Sequence, residues 1–271
     1  MDWQTSLQRL CDDRRSGAST LTRKAAHLFA RIAKQVTPFD LIAAAERLHR
    51  AHPAMAPLWH LKNLVAASAE HPDQLGRALR DFVAALIAHE EAAVSHAAAW
   101  LPDGTVLTHS FSSLVFRALV HAHRSGKRIR VICPIALPGG EGRLLAQRVR
   151  RAGGNVLLVA DLQAFAWLPQ CSAMVIGADA LCPDGLVHKV GTRPLAHAAR
   201  QAGVPVWSIA TSEKGLPLPW HEPMRGVAPP IAPLSIPQDR TLYDLTEWAL
   251  ITGVITEAGA GGESHRKLWG T

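Results

Sequence analysis

From Thr105 onward the chain alternates short apolar runs, rich in β-branched residues, with longer stretches whose apolar residues recur three and four positions apart. The longer stretches are SSLVFRALVHAHRSG, EGRLLAQRVRRAGG and TRPLAHAARQAG, and each ends in glycine, as helices commonly do. The short runs are TVLT, RIRVIC, NVLLVA, AMVIGAD and PVWSIA, a pattern typical of buried strands. Successive strand and helix units predict an α/β fold with a doubly wound parallel sheet, whose ligands bind beyond the carboxyl ends of the strands.

The first hundred residues show only the helical pattern. Four stretches carry it, with prolines between them: LTRKAAHLFARIA, FDLIAAAERLHRA, PLWHLKNLVAASA and LGRALRDFVAALIAHEEAAVSHAAAWL. We therefore expect a helical N-terminal domain over residues 1–101 and an α/β ligand-binding domain over residues 102–271. Within the second domain, the proline-rich residues 216–237 predict an irregular excursion, and the glycine-rich stretch near residue 260 predicts a flexible tail.

The composition places the chain among globular proteins. Of its 271 residues, 48% are hydrophobic and 19% are charged, which excludes a disordered or collagen-like chain. No run reaches the roughly 18 apolar residues of a membrane-spanning helix, and the first residues lack the apolar core of a secretory signal. The four cysteines form no CxxC pair, so we expect reduced thiols. These features predict a cytoplasmic protein without a membrane partner.

Positive charge is in excess, with 29 Lys and Arg against 22 Asp and Glu. This balance favours anionic ligands, although a solvated basic surface gives the same count. A single Tyr, six Phe and no basic run interleaved with aromatics argue against a nucleic-acid partner, whereas a small phosphorylated molecule fits the charge. No Walker A or GxGxxG sequence is present, and the fourteen histidines show no metal-ligand spacing, so we expect neither a cofactor nor a metal.

The segment GADALCPDGLVHKVGT, residues 177–192, is the most informative stretch of the sequence. It leads from the end of an apolar run, through a turn, to the start of a helix. Asp179 at the strand end can do acid/base chemistry, and the helix N-terminus at Gly191 and Thr192, with Lys189 nearby, can hold a phosphate. A turn-forming aspartate and an ordinary helix cap are the alternatives.

Two further segments place small polar residues just ahead of a helix. THSFSS has His109, Ser110 and Ser112 at a junction of strand and helix, where backbone N–H groups and hydroxyls can bind an anion. RRSGAST, residues 14–20, puts arginines, glycine and serine before the first long helical stretch, as a phosphate clamp does. An ordinary N-cap and a common basic N-terminal stretch are the respective alternatives.

Taken in chain order, four segments resemble one family: VLTHSFSSLV, EGRLLAQRV, VIGADALCPDGLVHKVGTRPLAHAAR and LYDLTEWALITGVITEAGA. The family comprises the regulatory alpha, beta and delta subunits of translation initiation factor 2B and two metabolic relatives, methylthioribose-1-phosphate isomerase and ribose-1,5-bisphosphate isomerase. The resemblance implies an N-terminal helical domain followed by a Rossmann-like sheet. RRSGASTL also resembles the segment where the isomerases carry an Arg-Gly-Ala phosphate-binding motif, which implies ligand-binding roles for Arg15, Gly17 and Ala18.

The resemblance assigns catalysis in the isomerases to an Asp, here Asp179, and to a Cys, whose position is occupied by Ser110. A serine hydroxyl is far less acidic than a thiol and needs a separate activating base. The isomerases' Asn-Lys appears as His188-Lys189, and their arginine after the second strand is absent from residues 133–136. Cys133 at a strand end, or Cys182 near Asp179, is an alternative source of a thiol.

Three functions follow from the resemblance, and in each we expect at least a homodimer. The first is a regulatory or catalytically altered protein that binds a phosphorylated sugar or nucleotide. The second is an aldose-ketose isomerase that acts on a ribose-1-phosphate derivative, and the third is a subunit of a translation factor complex. Besides Asp179 and Ser110 as catalytic residues, the expected ligand-binding residues are Arg15, Gly17, Ala18, His109, Ser112, His188, Lys189, Gly191 and Thr192.

Overall fold

The computed structural model describes residues 2–233 and 235–261. Ahead of the sheet, this part of the chain forms the helices α1 (Trp3–Cys11), α2 (Ala18–Ile32), α3 (Pro38–Ala51), α4 (Ala56–Ser68) and α5 (Pro72–Trp100). The last four coincide with the predicted helical stretches, and α1 is additional to them. The apolar faces of these helices enclose a hydrophobic core that is separate from the core around the sheet, and Leu21, Phe29 and Leu61 are fully buried in it.

Strands and helices then alternate as the repeating pattern predicts. The strands are β1 (Gly104–Leu107), β2 (Ile129–Pro134), β3 (Asn155–Val159), β4 (Ala173–Ile176), β5 (Ala180–Cys182), β6 (Gly185–Lys189), β7 (Val206–Ile209), β8 (Tyr243–Glu247), β9 (Gly253–Thr256) and β10 (Gly259–Gly261). The helices are α6 (Ser113–Arg124), α7 (Glu141–Arg151), α8 (Gln163–Trp167) and α9 (Thr192–Gln201).

The described strands form a large sheet in the order β10-β9-β7-β4-β1-β2-β3. Neighbours from β9 to β3 run parallel, and only the edge strand β10 is antiparallel. The chain therefore builds outward from β1 through β2 to β3, returns to β4, and builds outward on the other side through β7 to β9. This order confirms the predicted doubly wound α/β fold and puts its switch point between β1 and β4.

Glycine ends three of the helices in this part of the fold. Gly126, Gly153 and Gly203 follow α6, α7 and α9 with φ values of 90°, 88° and 71°. Side chains rarely adopt this left-handed backbone, whereas glycine enters it without a steric penalty. The glycines that the sequence analysis used to predict helix ends therefore do mark them.

A second, antiparallel sheet of order β5-β6-β8 lies outside the predicted pattern. The sequence pattern predicts a fourth strand that runs to Asp179, but β4 ends at Ile176. The next residues, expected to lead through a turn to a helix, form the hairpin of β5 and β6. β8 joins this hairpin only after the irregular proline-rich excursion. The small sheet carries Asp179 just before its first strand and His188 within its second.

The glycine-rich stretch near residue 260 is not a flexible tail where the structure describes it. Gly259–Gly261 forms β10, which pairs with β9 from Gly259↔Thr256 to Gly261↔Val254. Small residues suit this edge because Gly253, its near neighbour on β9, already lies against the ring of Trp207 and the carbonyl of Gly261. Residues 262–271, on which the rest of the predicted tail falls, lie outside the described residues.

Helix α5 joins the helical part to the sheet. It is 29 residues long and packs on α2 and α4 at one end and on α6, β9 and β10 at the other. The division into domains at residues 101 and 102 stays a prediction, since one continuous helix contributes to both cores. None of the helices in the described ranges combines the length and apolar character that crossing a membrane requires.

Gly142, in the first turn of α7, has no room for a side chain. A Cβ there would lie 1.8 Å from the carbonyl oxygen of Pro134, whereas a Cβ on Gly76 in α5 would meet only the end of Arg80, at 3.7 Å. We expect Gly142→Ala to lower the free energy of unfolding by about 1–3 kcal/mol, because β2 and α7 must separate. Denaturant unfolding followed by circular dichroism measures the change.

The matched control is Gly76→Ala. Alanine favours a helix interior over glycine by about 1 kcal/mol, so this variant should be more stable than the wild type. Equal effects of the two substitutions would contradict the close packing of α7 on the end of β2.

Candidate functional site

A cleft opens beyond the carboxyl ends of β1 and β4, at the switch point of the sheet. It has two adjoining compartments with about 820 Å³ and about 510 Å³ of open space, solvent at their mouths included. Gly17, Phe111, Asp179 and His188 line both compartments. The two sheet residues that the sequence analysis singled out, Asp179 and His188, therefore lie where the compartments meet.

The first compartment lies between the α1–α2 loop, the start of α7 and the excursion before β8. Its polar lining includes Arg14, Arg15, Ser16, His52, Ser110, Glu141, Lys189 and Tyr243. Arg14 is held from behind, because its guanidinium donates to the carbonyl of Cys11 at 2.8 Å and lies 3.1 Å from Nδ1 of His52. No described acidic side chain pairs with Arg14 or Arg15, so both cations are available to a ligand.

The loop that carries these arginines is organised by Asp13. Its carboxylate accepts the backbone N–H groups of Arg15 and Ser16, both at 2.9 Å, and the Ser16 hydroxyl at 2.7 Å. Burial raises the pKa of Asp13, but the hydrogen bonds from Ser16 and Arg15 outweigh it and hold the pKa well below its usual range. The carboxylate therefore stays charged and fixes the loop just before α2.

The second compartment brings together two helix N-termini and a buried lysine. Residues Gly17 to Thr20 start α2, residues Ser112 to Leu114 start α6, and Lys214 follows β7. Burial lowers the pKa of Lys214, while the carboxylates of Asp179, Glu90 and Glu213 oppose that shift. Positive helix ends and a cation in one small compartment form a strongly anion-attracting environment.

Asp179 presents its carboxyl group to the cleft. Its backbone is fixed on both sides, since its N–H donates to Val187 O at 2.9 Å and its carbonyl accepts from Ala56 N at 3.1 Å. The carboxyl oxygens have no hydrogen-bond partner among the described residues. Burial raises the pKa of Asp179, and the cations of Lys214 and Lys189 oppose the shift. A carboxyl group in this state can keep its proton toward neutral pH and donate it to a ligand oxygen.

Two buried histidines, His109 and His188, differ in their hydrogen bonds and in whether they face the cleft. His109 donates Nε2–H to the carbonyl of Val190 at 3.0 Å and does not line either compartment. Burial lowers the pKa of His109, so its ring is a neutral tie between the end of β1 and the start of α9. His188 instead hydrogen-bonds through Nδ1 to Thr192 and lines both compartments.

Lys189 is turned toward Glu141 rather than toward open solvent. Its ammonium group lies 2.9 Å from Glu141 Oε1 and also donates to the carbonyl of Pro138. This buried pair joins β6 to the start of α7, and its charge still faces the first compartment. Lys189 thus contributes to the field in the cleft while its own hydrogen bonds are taken by protein groups.

The start of α9 already holds an anion, the carboxylate of Asp244. Its Oδ2 accepts the N–H of Gly191 at 2.7 Å and that of Arg193 at 3.2 Å. The Thr192 hydroxyl donates to the carbonyl of Lys189 at 2.6 Å. Neither Gly191 nor Thr192 lines the cleft, and Thr192 reaches the other site residues only through its hydrogen bond to His188.

Ser110 occupies a strained position at the mouth of β1. Its φ of 63° is left-handed, which costs a residue with a side chain roughly 1 kcal/mol. Ser112, two residues on, caps α6 by accepting the N–H of Val115 at 3.4 Å. The turn thus aims Ser110 into the first compartment and Ser112 into the second.

The described cysteines are all buried, and none of them lines the cleft. The thiol of Cys133 lies 3.2 Å from the carbonyl of Gly142, behind the end of β2. Burial raises the pKa of Cys133 and of Cys182 to about 12. Neither residue therefore brings a reactive thiol to Asp179.

Sequence reasoning missed Lys214, His52 and Tyr243, which also line the cleft. Lys214 follows the strand end Ala210-Thr211, so the rule on carboxyl ends of strands was a usable signal for it. His52 and Tyr243 come from α3's end and from the small sheet, and no local pattern marks them. In the described ranges no group of three or more His, Cys, Asp or Glu side chains is arranged to hold a metal ion.

Comparison with known proteins agrees with this architecture. A model of the initiation factor 2 subunit family matches residues 14–261. The chain belongs to this family. It is 28% identical, over 93% of its length and 94% of the other's, to a "translation initiation factor eIF-2B subunit 2-like" protein of Pyrococcus horikoshii. It is 30% identical to a ribose 1,5-bisphosphate isomerase of Archaeoglobus fulgidus, over 90% of this chain and 84% of that protein.

A solved structure of the family also superposes on this fold. The crystal structure of the translation initiation factor eIF-2B of Pyrococcus horikoshii aligns with a TM-score of 0.88 and 26% identity, over 97% of this chain and 98% of that one. The family expected from the sequence motifs is thereby confirmed. Because isomerases and eIF-2B-like proteins share it, membership alone does not select between enzyme and binding protein.

The buried position of the Asp244 carboxylate at the start of α9 can be tested through the pH dependence of stability. Burial raises its pKa from 3.8 to about 6, so the folded protein holds this proton more tightly than the unfolded chain. Ionisation of Asp244 therefore lowers the free energy of unfolding as the pH rises through this window. Asp244→Asn cannot ionise and so escapes this loss. We expect the free energy of unfolding of the variant minus that of the wild type to rise by about 2–3 kcal/mol between pH 4 and pH 7.

Urea unfolding at several pH values measures this difference. The matched control is Asp81→Asn, which neutralises an exposed carboxylate on α5. The same pH dependence in both variants would show that Asp244 is not its source.

Proposed function

We propose that the cleft binds a phosphorylated sugar or nucleotide and that the second compartment holds its phosphate. The supporting observation is that the N-termini of α2 and α6 and the buried Lys214 face one compartment. Backbone N–H groups at a helix start are directional donors for phosphate oxygens, and the side chain of Lys214 adds a further donor. Gly17, Ala18 and Ser112 keep the ligand-binding roles that the sequence predicts for them.

The sugar then lies over Asp179 and His188, where the compartments join. A carboxyl group and an imidazole at that place suit ribose hydroxyls, which both donate and accept hydrogen bonds. Arg14 and Arg15 in the first compartment give a second anionic end of the ligand a binding partner. A pentose phosphorylated at both ends fits this arrangement of a phosphate compartment, a site for sugar hydroxyls and two arginines. The relative named ribose 1,5-bisphosphate isomerase supports this choice of ligand.

Regulation or altered chemistry stays part of this proposal because the resemblance puts Ser110 at the position of the isomerases' cysteine. Pairing of two copies of the chain stays a prediction, and so does a translation factor partner, which the eIF-2B-like relatives support. Size-exclusion chromatography with light scattering tests the pairing directly, and a monomer at micromolar concentration would contradict it.

Lys214→Met tests the phosphate compartment. The variant keeps the length of the side chain and removes its charge, so we expect ribose-1,5-bisphosphate to bind about 10- to 100-fold more weakly. Isothermal titration calorimetry measures the affinity of wild type and variant.

The matched control is Lys34→Met, whose lysine is exposed and pairs with Asp73 far from the cleft. It should bind like the wild type. Unchanged affinity in Lys214→Met, or equal weakening in both variants, would exclude a phosphate at Lys214.

A second function, aldose-ketose isomerisation of a ribose-1-phosphate derivative, is favoured by Asp179. Its unpartnered carboxyl group faces the cleft, and burial raises its pKa. In that function Asp179 protonates the ring oxygen and so opens the sugar. The reaction also needs a group that moves hydrogen between C1 and C2.

Proton NMR in deuterated water with ribose-1,5-bisphosphate and, separately, methylthioribose-1-phosphate tests this function. We expect ketose signals with one of them, a loss of at least about 100-fold in kcat for Asp179→Asn, and a fall in rate as rising pH ionises Asp179. Binding without turnover, in the wild type and also in Ser110→Cys, would leave the binding function as the account of this site.

A further inference from the structure

The orientation of His188 is fixed by a chain of hydrogen bonds. The Thr192 hydroxyl gives its single proton to the carbonyl of Lys189 at 2.6 Å, so toward His188, 3.0 Å away, it can only accept. Nδ1 of His188 therefore carries the ring proton, and Nε2 carries a free lone pair. This is the opposite tautomer to that of His109.

The free nitrogen faces the cleft. His188 is 4% exposed and lines both compartments, and Nε2 has no hydrogen-bond partner among the described residues. It lies 3.5 Å from the place where a Cβ on Gly177 would stand, at the carboxyl end of β4. The nearest cross-strand rung, Ala180↔Val187, sets Asp179 and His188 side by side at the start of the β5–β6 hairpin.

Burial keeps this ring neutral. It lowers the pKa of His188 well below 6.5, and His109, Lys214 and Lys189 lower it further. These neighbours come from the loops after β1 and β7 and from β6 itself. Asp179 adds a carboxyl group beside the ring, next to the rung Ala180↔Val187. A neutral imidazole with an open lone pair accepts a proton without first having to lose one.

Among the other basic groups of the cleft, Lys214 is assigned to the phosphate, and His52 and Glu141 are engaged by protein groups. Nε2 of His52 bonds to the carbonyl of Leu10, and its Nδ1 faces Arg14. Glu141 is paired with Lys189 through one oxygen, and its other oxygen is enclosed by protein. Ser110 is too weak an acid and base to act unaided near neutrality.

We propose that Nε2 of His188 is the catalytic group that moves hydrogen between C1 and C2 of the sugar. This inference rests on the isomerase function proposed above. It assigns to a histidine the step that Ser110 cannot perform without a separate activating base, and it explains how a member of this family with serine at position 110 can still be an enzyme.

The step balances with Asp179 as its partner. Nε2 removes the proton from C2, the C2–H electron pair forms the C1=C2 double bond, and the C1–O bond of the ring breaks as its oxygen takes the proton of Asp179. The resulting enol then passes its O2 proton to the Asp179 carboxylate. As the C2=O bond forms, the C1=C2 pair takes the proton back from His188 onto C1. Both residues end as they began, and no oxidant or co-reactant is needed.

His188→Asn tests the assignment, since asparagine keeps a polar side chain but cannot take up the proton. We expect kcat with the turned-over pentose phosphate to fall by at least about 100-fold. The rise in melting temperature that saturating substrate produces should remain, because His188 does not hold the phosphate. His121→Asn, the same change at an exposed position on α6, is the control and should keep the wild-type kcat.

The outcomes separate the two proposals. No turnover by the wild type overturns the isomerase function and this inference with it. Turnover by the wild type with a His188→Asn variant within about threefold of it overturns only the role of His188. Should the variant fail to fold, ¹⁵N NMR of the wild-type histidines decides. Protonated Nδ1 and bare Nε2 at neutral pH support the assignment, and protonated Nε2 refutes it.

Discussion

The site depends on the reversal of direction at the centre of the sheet. The connections from β1 and β4 leave toward opposite sides, so no crossover covers the gap between their carboxyl ends. The gap receives the left-handed turn at Ser110 from one strand and the Gly177-Ala178-Asp179 turn from the other. Gly177 is required there, because a Cβ would come within 2.6 Å of Ser112. Close packing of Gly177 on the Ser112 side chain thus holds the two turns together where the compartments meet.

The attraction of the cleft for anions depends on which of its positive groups are already paired with carboxylates of the protein. Asp244 occupies the start of α9, Glu141 pairs with Lys189, and Asp13 fixes the loop ahead of α2. At each of these three positions a carboxylate of the protein already takes up N–H groups or a cation that could otherwise bind an anionic ligand. The starts of α2 and α6 have no such carboxylate in the described structure, and beside them Lys214 lies in a compartment with limited access to water. Within the cleft, the positive groups left for a ligand are therefore Arg14 and Arg15 in the first compartment and the two helix starts with Lys214 in the second.

The sequence predicts the fold well and the site in part, for physical reasons. Strands, helices and their glycine ends follow from local periodicity and backbone freedom, which neighbouring residues encode. The hairpin of β5 and β6 was missed because it is short and because β8, more than fifty residues later, completes its sheet. Gly191 and Thr192 have the local pattern of an anion site, and only the fold reveals that Asp244 fills it. Lys214 gains its position from the meeting of β7 with two distant helices.

One backbone contact gives the helical part a share in the chemistry. The first residue of α4, Ala56, donates its N–H to the carbonyl of Asp179, and Ala54 and Ala56 pack against the β5–β6 hairpin. The burial that raises the pKa of Asp179 therefore involves the helical part as well as the sheet. Removing the helical half would let water reach this carboxyl group and would return its pKa toward that of an ordinary aspartate.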